Sequence, residues 1–244
     1  MRSCSFILLV SWVFCQSGYE IADMMASREA PSDIKSTLVM RLKDKRGNSL
    51  ESTLISHSKD GGKKQIIWFV SPPKDRGISL YKIESDEGKD LMKMWLPAFK
   101  KVRKISSRKK SESFMNSDLT FEDLYNRNLN DFTYDLETVD DSTYVLTSYP
   151  KEELKSSYGK HVSWIDRRNL LIIKEESYSS KGPLMKTKQI KYENIQGFDL
   201  VKEINVVDVK LKHETHLEFT EMRINTGIDD KSFHEMNLKR IPIK

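Results

Sequence analysis

The residue types that could do chemistry are present in this chain, but not at the spacings the chemistry needs. His213-Glu214-Thr215-His216 comes nearest to a metal motif. It is one residue short of the zinc-protease spacing, and on a strand positions 213 and 216 face opposite sides, so the two imidazoles do not share an ion. His57, His161 and His234 lie far apart with no evident partner. No Gly-x-Ser-x-Gly elbow, phosphate-cradling glycine loop or dinucleotide fingerprint occurs. The best carboxylate cluster, Asp118, Glu122 and Asp123, surrounds Thr120 in capping-box spacing: the Thr120 hydroxyl meets the free amides of a helix start and Asp123 reaches back to them. Negative charge there suits the positive end of a helix, so capping accounts for all three. The expectation is no catalytic residue, no metal and no cofactor, hence a protein that is not an enzyme.

Two other patterns point to binding. Large flexible or aromatic apolar residues, Met40, Leu42, Trp68, Phe69, Met94, Trp95, Phe114, Met115 and Trp164, sit on or beside strand-like segments. Such side chains are candidates to line an acyl-chain cavity, against the plainer reading that they are core. Lys100, Lys101, Arg103 and Lys104, followed by Arg108, Lys109 and Lys110, concentrate positive charge in a chain whose net charge is +5. Nucleic acid is a poor partner, because no helix-turn-helix, zinc-finger or RNA-recognition pattern accompanies the charge. An acidic partner surface or anionic lipid headgroups fit these four candidate partner-binding residues better, with a lysine-protected strand edge as the plain alternative.

The elements that must position these residues begin after a leader. Met1-Arg2-Ser3 is a positive start, Ser5 to Phe14 an apolar run, and Cys15-Gln16-Ser17 a small-residue exit, the pattern of a signal peptide over residues 1–17. The run is too short to span a bilayer as a helix, so membrane contact is expected to be peripheral. Cys4 and Cys15 are the only cysteines, which leaves a cleaved chain without a disulfide or thiolate. Lipidation at Cys15 is the disfavoured alternative, since Phe14 stands where a small residue is wanted. With no Gly/Pro/Ser-rich linker, residues 18–244 read as a single domain.

Ile21, Met24 and Met25 are at helical spacing before Pro31. From Thr37 the period becomes two, and Gly47 turns the chain into a hairpin. Gln65 to Val70 is apolar on both faces and must be covered on both sides. After the proline loop Ser71 to Gly77, strand patterns recur to a long last one from Val209 to Ile224, with Leu211, Leu217 and Phe219 on one side. This is the pattern of an antiparallel up-and-down sheet.

The stretch Trp95-Leu96-Pro97-Ala98-Phe99-Lys100-Lys101-Val102-Arg103-Lys104-Ile105, with Ser113-Phe114-Met115-Asn116-Ser117-Asp118 and Glu122-Asp123-Leu124, resembles the signature of the outer-membrane lipoprotein-sorting, LolA-like family. Trp164-Ile165-Asp166, Ile195-Gln196-Gly197 and Gly227-Ile228-Asp229-Asp230 extend the resemblance over nearly all of the mature chain. Lys104 replaces a usual arginine and loses its planar fork. Asn116 replaces a usual glycine and suits a left-handed position. The resemblance implies a mainly β (α+β) fold, an open antiparallel β-barrel of about eleven strands with short helices as lid. It also implies a periplasmic carrier or chaperone for the acyl chains of lipoproteins or other lipids, with an RND-type transporter as partner. A non-enzymatic envelope adaptor or sensor, binding a partner protein without lipid cargo, is the alternative.

Overall fold

Alternation from Leu38 onward sets the architecture. The computed structural model describes residues 16–85, 90–138 and 140–242. The leader, apart from Gln16 and Ser17, lies outside the described residues, and Cys15 with it. Leu38, Met40 and Leu42 point to one side of β1 (Asp33–Lys43), and the Gly47 turn returns the chain as β2 (Ser49–Lys59), with Leu38 opposite Leu54. The meander continues through β3 (Lys64–Ser71), β4 (Ser79–Ile83), β5 (Leu91–Leu96) and β6 (Lys101–Lys104). A second meander holds β7 (Phe132–Thr138), β8 (Thr143–Pro150), β9 (Tyr158–Asp166), β10 (Leu171–Ser179), β11 (Leu184–Ile195), β12 (Phe198–Asp208) and β13 (His213–Ile224).

β13 pairs with β1, and that join makes one antiparallel sheet in the order β6-β5-β4-β3-β2-β1-β13-β12-β11-β10-β9-β8-β7. It stays open, with β6 and β7 as edges. There are thirteen strands rather than about eleven, and the shortest, β4 and β6, run only five and four residues, too few for clear alternation. The last strand begins at His213, not Val209, because residues 209–212 form a turn in which Leu211 N donates to Asp208 Oδ1 at 2.7 Å. Leu211 is therefore exposed rather than on the core side.

The helix α1 (Gly18–Ala26) opens with a reciprocal capping box between Ser17 and Glu20. Its buried Ile21 and Ala22 pack against Tyr144, Leu146 and Ile165 on β8 and β9. A Cβ at Gly18 would stand 2.9 Å from Tyr134 Cβ, so the helix sits directly on β7. The helix whose start is expected at Thr120 is a single 3-10 turn, Glu122–Leu124.

Strand β3 is covered on both faces, as its unbroken apolar run requires. Ile67 and Phe69 meet residues of the 105–125 segment, while Ile66 and Trp68 lie under Ile228, Phe233 and Leu238 from the chain's end. Asp229 caps the turn that delivers Phe233, accepting from Lys231 N at 2.8 Å. The 105–125 segment also reveals the curvature. Phe114 stacks near Phe69 of β3 at 6.0 Å, yet Asp123, nine residues on, bonds Lys188 of β11. The segment folds back on itself, Ser113 bridging Thr120 and the Phe121 ring lying 6.0 Å from Phe114, so the two residues from Phe121 to Asp123 reach both strands only because the sheet curls around them. The face it fills is the inner one.

Candidate functional site on the inner face of the sheet

Register places one row of side chains across the inner face: Leu42, Thr215, Val206, Lys188, Glu175, Ser163, Leu146 and Leu136. The row changes character along its length. On the β1–β5 side the inner face is mainly apolar, with Met40, Leu42, Phe69, Met92 and Met94 packed on Phe114, Leu119 and Phe121. The buried Lys82 of β4 is an exception that donates to Glu84 and the Leu124 carbonyl. Toward β9–β11 it is ionic.

The ionic part is held by the same covering segment. Asp123 Oδ2 accepts from Lys186 Nζ at 2.8 Å and from Tyr158 Oη at 2.9 Å, and Oδ1 accepts from Lys188 Nζ at 2.9 Å. Glu175 takes Arg127 through both oxygens, at 2.5 and 2.9 Å, and Lys188 at 3.2 Å. His161 and Ser163 close the group, His161 Nδ1 lying 2.9 Å from Ser177 Oγ. Burial alone would raise the Asp123 carboxyl, but the Lys188 and Lys186 ammoniums outweigh it and hold it well below the usual range. Glu175 is likewise lowered, burial being overcome by Arg127 and Lys188. Burial, with Arg127 adding to it, lowers His161 to about 3, so the ring is neutral at physiological pH. Burial, then Asp123, raises the Tyr158 phenol. These groups are paired ions rather than a poised acid and base.

The capping box at Thr120 forms, Thr120 N donating to Asp123 at 2.8 Å, but capping is only part of what the carboxylates do. Asp118 accepts from Thr215 Oγ1 on β13 at 2.6 Å and lies 2.8 Å from His213 Nδ1. Glu122 accepts from Ser157 N at 3.0 Å in the β8–β9 connection. Each of the three fastens the covering segment to a different part of the sheet. A signal for this was present: Leu184, Lys186, Lys188 and Ile190 share one face of a strand, so two lysines occupy positions that alternation assigns to the interior. Glu175 with Ser177 and His161 with Ser163 repeat it on the neighbouring strands.

Of the nine candidate cavity residues, Met40, Leu42, Phe69, Met94, Phe114 and Met115 come together in the inner apolar cluster. Trp68 and Trp95 belong to the outer face; Trp68 Nε1 donates to the Asn237 carbonyl, and Trp95 lies beneath the Lys239 ammonium. Trp164 sits apart on β9 with Lys174 Nζ over its ring. Asn116 takes the left-handed conformation expected of a glycine replacement, and Met115 shares it. Of the basic candidates, Lys100, Lys101 and Lys104 are exposed on or beside edge strand β6, whereas Arg103 is half-buried and paired with Glu112 at 2.5 Å. Among the described residues no group of three or more His, Cys, Asp or Glu side chains could hold a metal ion, and no helix is long and apolar enough to cross a membrane.

An open antiparallel sheet curled around a covering segment and one helix is the LolA-like class of fold. The chain belongs to the outer-membrane lipoprotein-sorting, LolA-like family. The family model that matches it, over residues 61–240, is described only as that of an uncharacterized protein. A Vibrio parahaemolyticus domain named for outer membrane lipoprotein sorting is similar at 27% identity and a TM-score of 0.84, covering 91% of this chain and 98% of its own. A DUF1329 family protein from Desulfovibrio piger follows at 28% identity and a TM-score of 0.82, over 91% and 97% of the two chains. The LolA superfamily protein NE2245 from Nitrosomonas europaea shares the fold at 19% identity and a TM-score of 0.72, over 91% and 100%. No curated protein matches the sequence.

Proposed function

We propose that this protein is a non-enzymatic carrier or chaperone of the periplasm that holds the acyl chains of lipoproteins or other lipids against the inner face of its sheet. One observation carries the reading: the apolar half of that face is covered by a segment of single 3-10 turns and irregular chain, not by a second sheet. Such a cover, joined to the sheet by side chains, is a replaceable partner for Met40, Leu42, Phe69 and Met94. Each buried methylene of a cargo chain would contribute ~0.8 kcal/mol. The name of the Vibrio relative supports lipoprotein sorting as the setting. In this reading residues 1–17 are the export signal, residues 18–244 the working domain, membrane contact is peripheral, and an RND-type transporter is the partner that the family resemblance implies.

The test is extraction under native conditions followed by lipid mass spectrometry, together with titration of a fluorescent fatty-acyl probe. Co-purified acyl lipid or saturable probe binding supports the carrier; neither would leave the adaptor reading in its place. That second reading is favoured by the free edge of β6 and its exposed Lys100, Lys101 and Lys104. Changing those three and Arg103 to glutamine should weaken docking to a partner protein and spare probe binding.

A further inference from the structure

The two ends of the sheet differ in charge and polarity. Because neighbouring strands are antiparallel, the turns at 44–48, 72–78, 97–100, 151–157, 180–183 and 209–212 all lie at one end. Each carries an exposed lysine or arginine, and Lys45, Arg46, Lys74, Lys100, Lys210 and Lys212 make no ion pair among the described residues. Asp75, Glu152 and Glu153 offset part of this charge, while Asp44 and Asp208 are engaged in their own turns, Asp44 accepting from Arg46 N at 2.8 Å. The same turns and their flanks hold the exposed apolar side chains Phe99 at 70%, Leu211 at 62%, Val209 at 42% and Leu50 at 38%. At the opposite end, among the described residues, the turns carry Asp60, Asp90, Asp140, Asp141, Asp229 and Asp230 beside Lys63, Arg167, Arg168 and Lys231, and of the exposed large apolar side chains only Ile173 flanks one of them.

A solvated rim accounts for the lysines but not for Phe99 and Leu211, which stand at turn tips where polar residues are the norm. Apolar tips flanked by unpaired cations match the two layers of a lipid interface, with the tips in the headgroup and upper acyl region and the cations against phosphates. The turn at 209–212 adjoins the one at 44–48, since β13 pairs with β1, so Val209 and Leu211 stand beside Lys45 and Arg46 on the rim, with Phe99 two turns further along. We propose that this end of the sheet docks on an anionic bilayer surface, Phe99 and Leu211 entering the headgroup layer. The docking does not depend on cargo, because an adaptor without lipid cargo would use the same rim.

The test is co-sedimentation of the full chain with vesicles of phosphatidylcholine alone or mixed with an equal amount of phosphatidylglycerol. Binding should favour the anionic vesicles and weaken with salt. K210Q/K212Q should lower partitioning roughly fivefold for each cation removed. F99S/L211S should lower it on anionic vesicles as well, and D140N/D141N at the other end should leave it unchanged. Residues 1–17 are common to all variants, so the differences report on the rim; circular dichroism checks folding, and F99A alone carries the apolar arm if the double variant unfolds. Equal binding to both vesicles, or rim variants that bind like the parent, would overturn the proposal. So would rim-dependent capture of an acidic protein with no vesicle binding. Because no arm reads cargo, failure here leaves the carrier reading standing.

Discussion

At the scale of single residues, the inner face is governed by Asp123. Its carboxylate is the one group that Lys186, Lys188, Tyr158 and Thr120 all share. Asp123→Asn keeps the shape and removes the charge, leaving Lys186 without a carboxylate and Lys188 with Glu175 alone. Breaking a buried pair in this way should destabilise the fold by on the order of 3 kcal/mol, read from urea unfolding. A variant as stable as the parent would mean that the ions merely balance their desolvation. Acid should act on the same site in two stages. His161 has an ordinary value of 6.5 and a folded value of about 3, so between those limits the unfolded chain binds the extra proton. Stability is then complete above pH 6.5 and declines as the pH falls toward 3. Asp123 is lowered on folding, so its contribution is present above the unfolded carboxylate value of about 4 and is lost only below it. His161→Gln, which retains a partner for Ser177, should flatten the decline between pH 6.5 and 4. His57, lowered by burial to about 4, shares that window, so some slope should survive until it too is replaced.

At the scale of elements, helix α1 offers a contest between two effects of opposite sign. Gly18→Ala improves helix propensity by up to ~1 kcal/mol, less in a first turn. It also drives a methyl to 2.9 Å from Tyr134 Cβ and 3.1 Å from the Tyr134 backbone, which cannot yield as a side-chain tip would. Overpacking of this kind costs about 1–3 kcal/mol, so the variant should melt at a lower temperature and α1 should become the first site of proteolysis. The helix itself was legible, because Ile21 and Met25 share a face and Pro31 ends the run. Hairpins were legible for the same reason: period-two alternation fixes a strand, and Gly47 fixes where it turns. Alternation separates two faces without saying which is the interior, so Trp68 and Phe69, adjacent on β3, read as equivalent although one lies under the chain's end and the other under the 105–125 segment. Long-range partners were the least legible. Thr120 and Asp123 announced their capping box locally, while Lys186 and Lys188, more than sixty residues away, met Asp123 only through the curvature of the sheet.

At the scale of the whole molecule, the inner face is already occupied by the chain's own residues, and a carrier must resolve that conflict. Phe114, Leu119 and Phe121 fill the surface that an acyl chain would use, so the covering segment and the cargo compete for Leu38, Met40, Phe69 and Met94. Competition predicts effects of opposite sign from one change. Phe121→Ala removes a fully packed ring and should lower stability by about 3–5 kcal/mol. The same change weakens the internal competitor, so an acyl probe should bind the folded fraction more tightly, and saturating probe should recover part of the lost melting temperature. At a hundred times its dissociation constant a ligand restores ~2.7 kcal/mol, enough to be seen beside the loss. If Phe121→Ala instead weakens the probe in step with the fold, the 105–125 segment is ordinary core and the apolar inner face is a solid interior. The ionic end of the face makes the distinction sharper. A hydrocarbon alone has nothing to offer Lys186 and Lys188 once Asp123 moves away, so the segment should part from the sheet at Phe114 and Phe121 while Asp123 stays bound. Asp123→Asn should then reduce stability without the gain in probe affinity that Phe121→Ala produces, and measuring the two variants side by side separates displacement of the segment from a general loosening of the fold.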